Sequence, residues 1–401
     1  MSDGPGYEWV DDQDRFDALC GVWAGEPRYG LDTEFHRERT YYPRLALLQM
    51  AWSGGVAVVD PMAVDIRPLA SVLSGPALMV AHAGDQDVEV LELACGQAPT
   101  GVFDTQIAAG FLGMVAPSLS RLVEGLLGHG LPKSDRLTDW TRRPLTETQR
   151  RYAASDVAHL LELHDVLTER LGRAGRMDWA EQECAEQLAN RRAPSVPEHA
   201  WWRMREARQL RGASRGVAQE LAAWRERRAA ELDVPARHVV PDIAMASIAH
   251  RPPRDAAELA QVRGLEQRRL GRETQEGVLE AVRRGLDLPA SDVQRPPDAS
   301  VDRTRRPAVA LAAAWVGQLA EDLELDPGLL ATRADLADFL SGRPSRLDHG
   351  WRNRLVGEPV RELAAGQAAL AFDGKGGLLV EARSHRPLGG QAHQAGPSPQ
   401  D

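Results

Sequence analysis

Three short runs near the start of the chain, residues 29–35, 45–52 and 56–59, are apolar and rich in β-compatible side chains, which predicts three sequential strands. Gly54-Gly55 separates the second from the third and predicts a hairpin, so this part of the sheet should be antiparallel. A helix over 66–73, a buried strand over 77–81, a helix over 85–94 and a short strand over 101–103 follow, and the sum is a mixed α/β domain. From Leu119 onward the periodicity is helical: Ser118 and Thr146 stand as N-caps, and one long apolar-periodic stretch runs over 147–171.

Two breaks divide the remainder. Residues 191–197, with Pro194, Ser195 and Pro197, read as a linker, and residues 288–306, rich in Pro, Asp and Arg, as a second. The pattern over 200–287 is all-helical, and more helical pattern follows over 308–370. We therefore expect an α/β domain over 1–192, helical domains over 198–287 and 307–373, and a disordered tail over 384–401, where apolar residues are too few to fold. A chain of 401 residues is too long for one ordinary core.

Composition refines this picture. No run approaches the roughly 18 consecutive apolar residues of a membrane span, so no membrane contact is expected. The opening MSDGPGYEWVDDQDRF lacks the order of a secretory signal. Cys20, Cys95 and Cys184 are far apart and have no metal-ligand spacing, which fits structural thiols in a reducing, cytoplasmic compartment. The net charge of −10 is awkward for a protein that handles nucleic acid, but the acidity is local. Residues 1–180 carry about 26 of the 58 acidic and about 16 of the 48 basic side chains, which leaves about 32 of each elsewhere. A phosphate-bearing ligand in that region would need cations, rather than lysines, to offset its charge.

Candidate chemistry lies in the same region. Asp32 and Glu34 are two apart in RYGLDTEFH, so on a strand both carboxylates point to one face. Two like charges on an apolar strand call for a cation, and an all-oxygen pair suits Mg²⁺ or Mn²⁺. Tyr152 and Asp156 are four apart on the long helix and share a face. Between these segments VAHAGDQDVEVLEL ends a buried strand and begins a helix, with Asp85 and Asp87 in the first turn; Asp85 fits an N-cap, which leaves Asp87 as the functional acid. Asp104 also reads as a cap.

The order LDTEFHRERTYYPRLALLQMA, HAGDQDVEVL, FDTQIAA, DWTRRPLTETQRRYAASDVAHLL resembles the DEDDy exonuclease family, and specifically its ribonuclease D branch. Residues 200–287, with WWRMREARQLRG and LAAWRERRAAELDVPARHVV, resemble an HRDC domain, and 308–372 look like a second, more divergent copy. The resemblance implies a ribonuclease H-like mixed-sheet exonuclease domain followed by two all-helical domains. It implies 3′→5′ hydrolysis of RNA to 5′-mononucleotides by two divalent metal ions, with Asp32 bridging, Glu34 and Asp156 completing the site beside the attacking water, and Asp87 helping the second ion. A tyrosine phenol, with a reference pKa near ~10, is a poor base at neutral pH, so Tyr152 is expected to orient that water. Single-stranded RNA 3′ ends, plausibly of transfer-RNA precursors, are the implied partner. Tyr41, Tyr42, Lys133, Arg142 and Arg143 are candidates to stack on bases or contact phosphates, although Arg143 has an internal carboxylate as its alternative. Arg203, Arg205, Arg208, Arg211 and Arg215 give the first helical domain a cationic patch. A DNA 3′→5′ exonuclease and a non-catalytic RNA-binding protein are the competing readings.

Overall fold

A computed structural model of the protein describes residues 6–132, 138–190, 196–205, 209–265, 270–294 and 303–384. Its contacts divide into two compact units, one of residues 1–109 and 117–298, the other of 110–116 and 299–401.

The first unit contains a six-stranded mixed sheet: β1 (Glu8–Val10), β2 (Arg28–His36), β3 (Arg44–Trp52), β4 (Gly55–Val59), β5 (Leu78–Ala81) and β6 (Val102–Asp104). Their order is β1-β4-β3-β2-β5-β6. The β2–β3 and β3–β4 pairs are antiparallel, whereas β1 joins β4, β5 joins β2 and β6 joins β5 in parallel. The hairpin is where the glycines place it, with a shift of one residue: Trp52 pairs with Gly55, so Ser53-Gly54 form the turn. Pairing of β2 with β3 slips between Glu34 and Phe35, where Glu34 opposes Leu47 and Phe35 opposes Leu45. The bulge leaves Ala46 over and bends the strand just past Glu34.

The opening segment is structured, which the sequence reading missed. Helix Gln13–Ala24 is capped by Asp12, whose side chain accepts from Arg15 N–H, and it buries Phe16, Leu19, Cys20 and Trp23 on one face. That face joins Leu31, Leu48, Met50, Met79 and Leu91 in the main core on one side of the sheet. On the other side Leu47, Val58, Leu145, Ala153 and Ala154 form a second layer. Ser118 and Thr146 cap their helices as expected, Thr146 in a reciprocal capping box with Gln149.

The long helix expected over 147–171 is two. Glu147–Ala158 packs on β3 and β4, Leu160–Ala174 packs on β2 and β5, and His159 joins them at φ −109°, ψ 1°. The break lets each helix follow its own part of a twisted sheet. Helix Met177–Ala189 then lies against β6.

In the same unit the first helical domain is built on Ala213–Leu232, which packs against Arg272–Asp287. Close approach depends on two glycines: a Cβ on Gly216 would lie 2.3 Å from Gly285 O, and one on Gly285 would lie 2.4 Å from Val217 Cα. The linker expected over 191–197 falls mostly outside the described residues, as do 295–302 of the second linker and all but Ser384 of the expected tail.

The second unit has helices Arg306–Asp322, Arg333–Leu340 and Glu358–Ala364. The expectation of an all-helical region ending at 373 needs correction, because β7 (Ala368–Phe372) and β8 (Leu378–Ala382) form an antiparallel hairpin. Its turn is set by Asp373, whose carboxylate accepts from Lys375 N–H at 2.7 Å and Gly377 N–H at 2.9 Å, with Gly374 and Gly376 at positive φ. Among the described residues no helix is long and apolar enough to cross a membrane, and all three cysteines are free and buried.

Candidate active site

Strand β2 puts Asp32 and Glu34 on the face covered by helix Glu147–Ala158, and that helix brings Asp156 down onto them. One oxygen from each of Asp32, Glu34 and Asp156 lies within 4.8 Å of the others. Asp87 arrives from the opposite side of the strand. Because β5 ends at Ala81, the Thr33 N–H is free of a strand partner, and Asp87 Oδ1 accepts it at 3.1 Å while also accepting the Thr33 hydroxyl. One oxygen of Asp87 is thus committed to the strand between the two acids.

Asp87 is delivered by a turn that Asp104 holds. The buried Asp104 carboxylate accepts N–H groups from Ala83, Gly84, Gln106 and Ile107 at 2.8–3.3 Å. It thereby fixes both the start of its own helix and the turn at Ala83, which has a φ of 56°. Asp85 does not cap: Gly84 occupies the cap position without a side-chain bond, and Asp85 is exposed in the first turn.

Burial and mutual repulsion hold these acids toward the protonated state. Loss of solvation, then the charges of Asp156 and Asp87, push Glu34 up to about 8. Burial raises Asp156 to about 7 against the opposing hydrogen bond from Tyr152. Burial raises Asp87 to about 6 despite the Thr33 bonds, and burial with the charges of Asp87, Asp156 and Glu34 holds Asp32 well above the usual carboxylate range. Convergent carboxylates that resist ionising together are suited to a divalent cation, whose charge removes the repulsion, and the hard oxygen donors fit Mg²⁺ or Mn²⁺.

Tyr152 is oriented from two sides. Its hydroxyl bonds Asp156 one turn on, and Trp140 stacks on its ring at 6.2 Å with the planes 25° apart. Trp140 belongs to the DWTRRPL lead, whose part in placing the tyrosine the sequence did not reveal.

The expected substrate contacts separate into distinct environments. Arg143 faces inward: its Nε and Nη2 donate to the Asp60 carboxylate at 2.6 and 2.7 Å, Nη2 also reaches Ala46 O at the bulge, and Nη1 reaches Trp140 O. Its alternative reading, an internal ion pair, describes this geometry. Tyr41 is turned toward the first helical domain, where its hydroxyl donates to Glu226 at 2.9 Å and the backbone N–H groups of Tyr41 and Tyr42 reach Asp233. Tyr42 is 44% exposed, and Arg142 is exposed with a 3.3 Å ion pair to Asp139. Lys133 and Arg208 lie outside the described residues. Arg37, just past the end of β2, pairs with Glu89 at 2.6 Å.

The 3'-5' exonuclease family matches residues 7–172, and the HRDC domain family matches residues 214–282. The ribonuclease D of Gluconacetobacter diazotrophicus is 36% identical over 359 residues, covering 87% of this chain and 90% of its own length. That of Jannaschia sp. is 36% identical over 382 residues, covering 92% and 98%. Among solved structures, Escherichia coli RNase D, described as an exoribonuclease involved in structured RNA processing, is similar with a TM-score of 0.81 and 31% identity, covering 90% of this chain and 99% of its own.

Proposed function

Since the chain belongs to the ribonuclease D family of exoribonucleases, we propose that it shortens single-stranded RNA from the 3′ end, releasing 5′-mononucleotides, with transfer-RNA precursors among its cytoplasmic substrates. The observation that carries this reading is the convergence of Asp32, Glu34 and Asp156 on one point, with Asp87 held beside them.

In this reading Asp32, Glu34, Asp87 and Asp156 would hold two divalent ions, Mg²⁺ or Mn²⁺. When bound, the ions supply Lewis-acid stabilisation of the charge that develops on the scissile phosphate and the leaving 3′-oxygen. The protein's own part is positioning: Tyr152, fixed by Trp140 and Asp156, orients the attacking water, and the helix carrying both residues holds water and acid in one frame. Tyr42, Arg142 and Lys133 are assigned to the RNA strand. Arg143 and Tyr41 are assigned instead to supporting the site, on the strength of their internal partners.

The first helical domain presents a cleft of about 720 Å³ lined by Arg203, Arg205, Arg225 and Arg263 together with Glu226 and Asp242. Among the described residues Arg205 and Arg263 have no ion-pair partner, which supports contact of this domain with the RNA backbone. We assign domain limits of 1–192, 198–287 and 307–373, the last a divergent second copy of the HRDC-like domain that ends on β7, with β8 pairing to it from beyond that limit.

The test is a time course on matched 3′- and 5′-labelled single-stranded RNA and DNA oligomers with Mg²⁺, Mn²⁺ or EDTA. Metal-dependent release of mononucleotides from the 3′ end, faster on RNA, is the expected result. Equal rates on DNA would move the assignment to a general 3′→5′ exonuclease, and RNA binding without release under any metal would leave a binding protein.

A further inference from the structure

Between Arg44 and Trp52, Gln49 is the only polar side chain of β3. Its register is fixed: Gln49 opposes Asp32 on β2 and Val58 on β4. Directly opposed residues of an antiparallel pair project to the same face, with Cβ atoms about 4.5–5.5 Å apart. The identity of that face is independently known. Leu47, two residues back, opposes Glu34 and packs with Val58 against Ala153 and Ala154 of the helix that carries Tyr152 and Asp156. Gln49 therefore lies under that helix, next to Asp32.

Gln49 is completely buried, and among the described residues neither its Nε2 nor its Oε1 has a hydrogen-bond partner. Apolar neighbours occupy the same face, and an apolar side chain of equal size would suit it better than an amide stripped of water. Two of the other acids have an orienting hydroxyl, Thr33 for Asp87 and Tyr152 for Asp156. Asp32 has an unused amide beside it instead.

We propose that Gln49 is a positioning residue of the metal site, whose buried amide would donate to an oxygen of Asp32 turned away from a bound divalent ion and so fix the orientation of that carboxylate. The inference rests on the reading of Asp32 as a metal ligand. A hydrogen bond to the far side of a ligating carboxylate governs which lone pairs face the ion, and loss of such outer partners generally weakens metal binding or activity about 10–100-fold.

The test compares the wild type with Gln49→Met, Gln49→Leu and Asp32→Ala by calorimetric titration with Mn²⁺ in the absence of RNA, by the thermal midpoint of the metal-free protein, and by kcat and KM. Both Gln49 variants should bind Mn²⁺ about tenfold more weakly or worse, with kcat reduced and KM for RNA unchanged, while the metal-free midpoint stays level or rises. A structural amide gives the reverse: a lower midpoint with Mn²⁺ affinity intact overturns the proposal, as does a loss of affinity seen in only one of the two apolar variants. If the wild type and Asp32→Ala bind Mn²⁺ alike, the reading of Asp32 itself fails and this role for Gln49 falls with it.

Discussion

The Tyr152 hydroxyl donates to the Asp156 carboxylate one helical turn further on, so the group assigned to the attacking water also favours the ionised form of an acid assigned to the metal. Tyr152→Phe removes both roles and leaves the Trp140 stack. The turnover number should fall about 10- to 100-fold, the scale of losing one oriented proton-handling group. Mn²⁺ affinity measured above the range in which Asp156 titrates should stay near the wild type. A large loss of affinity there would mean that Tyr152 acts as a ligand.

Asp32 stands where the charges of Glu34, Asp87 and Asp156 all reach it. Asp32→Ala should therefore lower kcat by about 10³-fold or more, equivalent to the several kcal/mol that bound metal supplies. The metal-free protein should melt at an equal or higher temperature, because the variant relieves repulsion without opening the apolar layer. Retained turnover would remove Asp32 from the site.

Arg143 joins the Asp60 carboxylate, the bulge carbonyl of Ala46 and the carbonyl of Trp140, and so ties the segment leading into helix Glu147–Ala158 to the sheet. The Asp60 side chain is only 8% exposed, and removal of its partner leaves a buried charge unpaired. Arg143→Ala should destabilise the fold by about 3 kcal/mol, measured by denaturant titration. Below the melting transition KM for RNA should change little, whereas a raised KM with intact stability would restore the substrate role first considered for this arginine.

The parts of this site that sequence made legible are those governed by local periodicity. Alternation placed Asp32 with Glu34, and helical spacing placed Tyr152 with Asp156, because a strand or helix dictates those relations whatever surrounds it. Arg143, Tyr41 and Gln49 were not legible in the same way. Arg143 meets Asp60 across 83 residues and Tyr41 meets Glu226 across 185, so their partners are set by tertiary packing. Gln49 did leave a signal, a single amide inside LALLQMA, but its meaning depends on the hairpin register that sets it opposite Asp32. The β7–β8 hairpin was missed for another reason: AALAF continues an alanine-rich helical pattern, and the glycines of the FDGKGG turn that follows can end a helix as well as join two strands.

The raised carboxyls give the metal-free protein a defined pH dependence. Glu34 at about 8, Asp156 at about 7 and Asp87 at about 6 lie above the unfolded-chain values near ~4, so the folded state binds more protons than the unfolded chain across that interval. The free energy of unfolding then falls as pH rises, and the contribution of these groups is complete below about pH 4 and is lost through about pH 6 to 8. Thermal midpoints measured with EDTA should decline between about pH 5 and about pH 8.5, and Glu34→Gln or Asp156→Asn should flatten the decline. Divalent ions bind the ionised carboxylates, so the midpoint gained by adding Mg²⁺ or Mn²⁺ should widen over the same range, with protons released on binding. If the gain is instead independent of pH and the EDTA midpoints of wild type and Glu34→Gln run parallel, the acids are already ionised without a cation and repulsion is relieved by some other group.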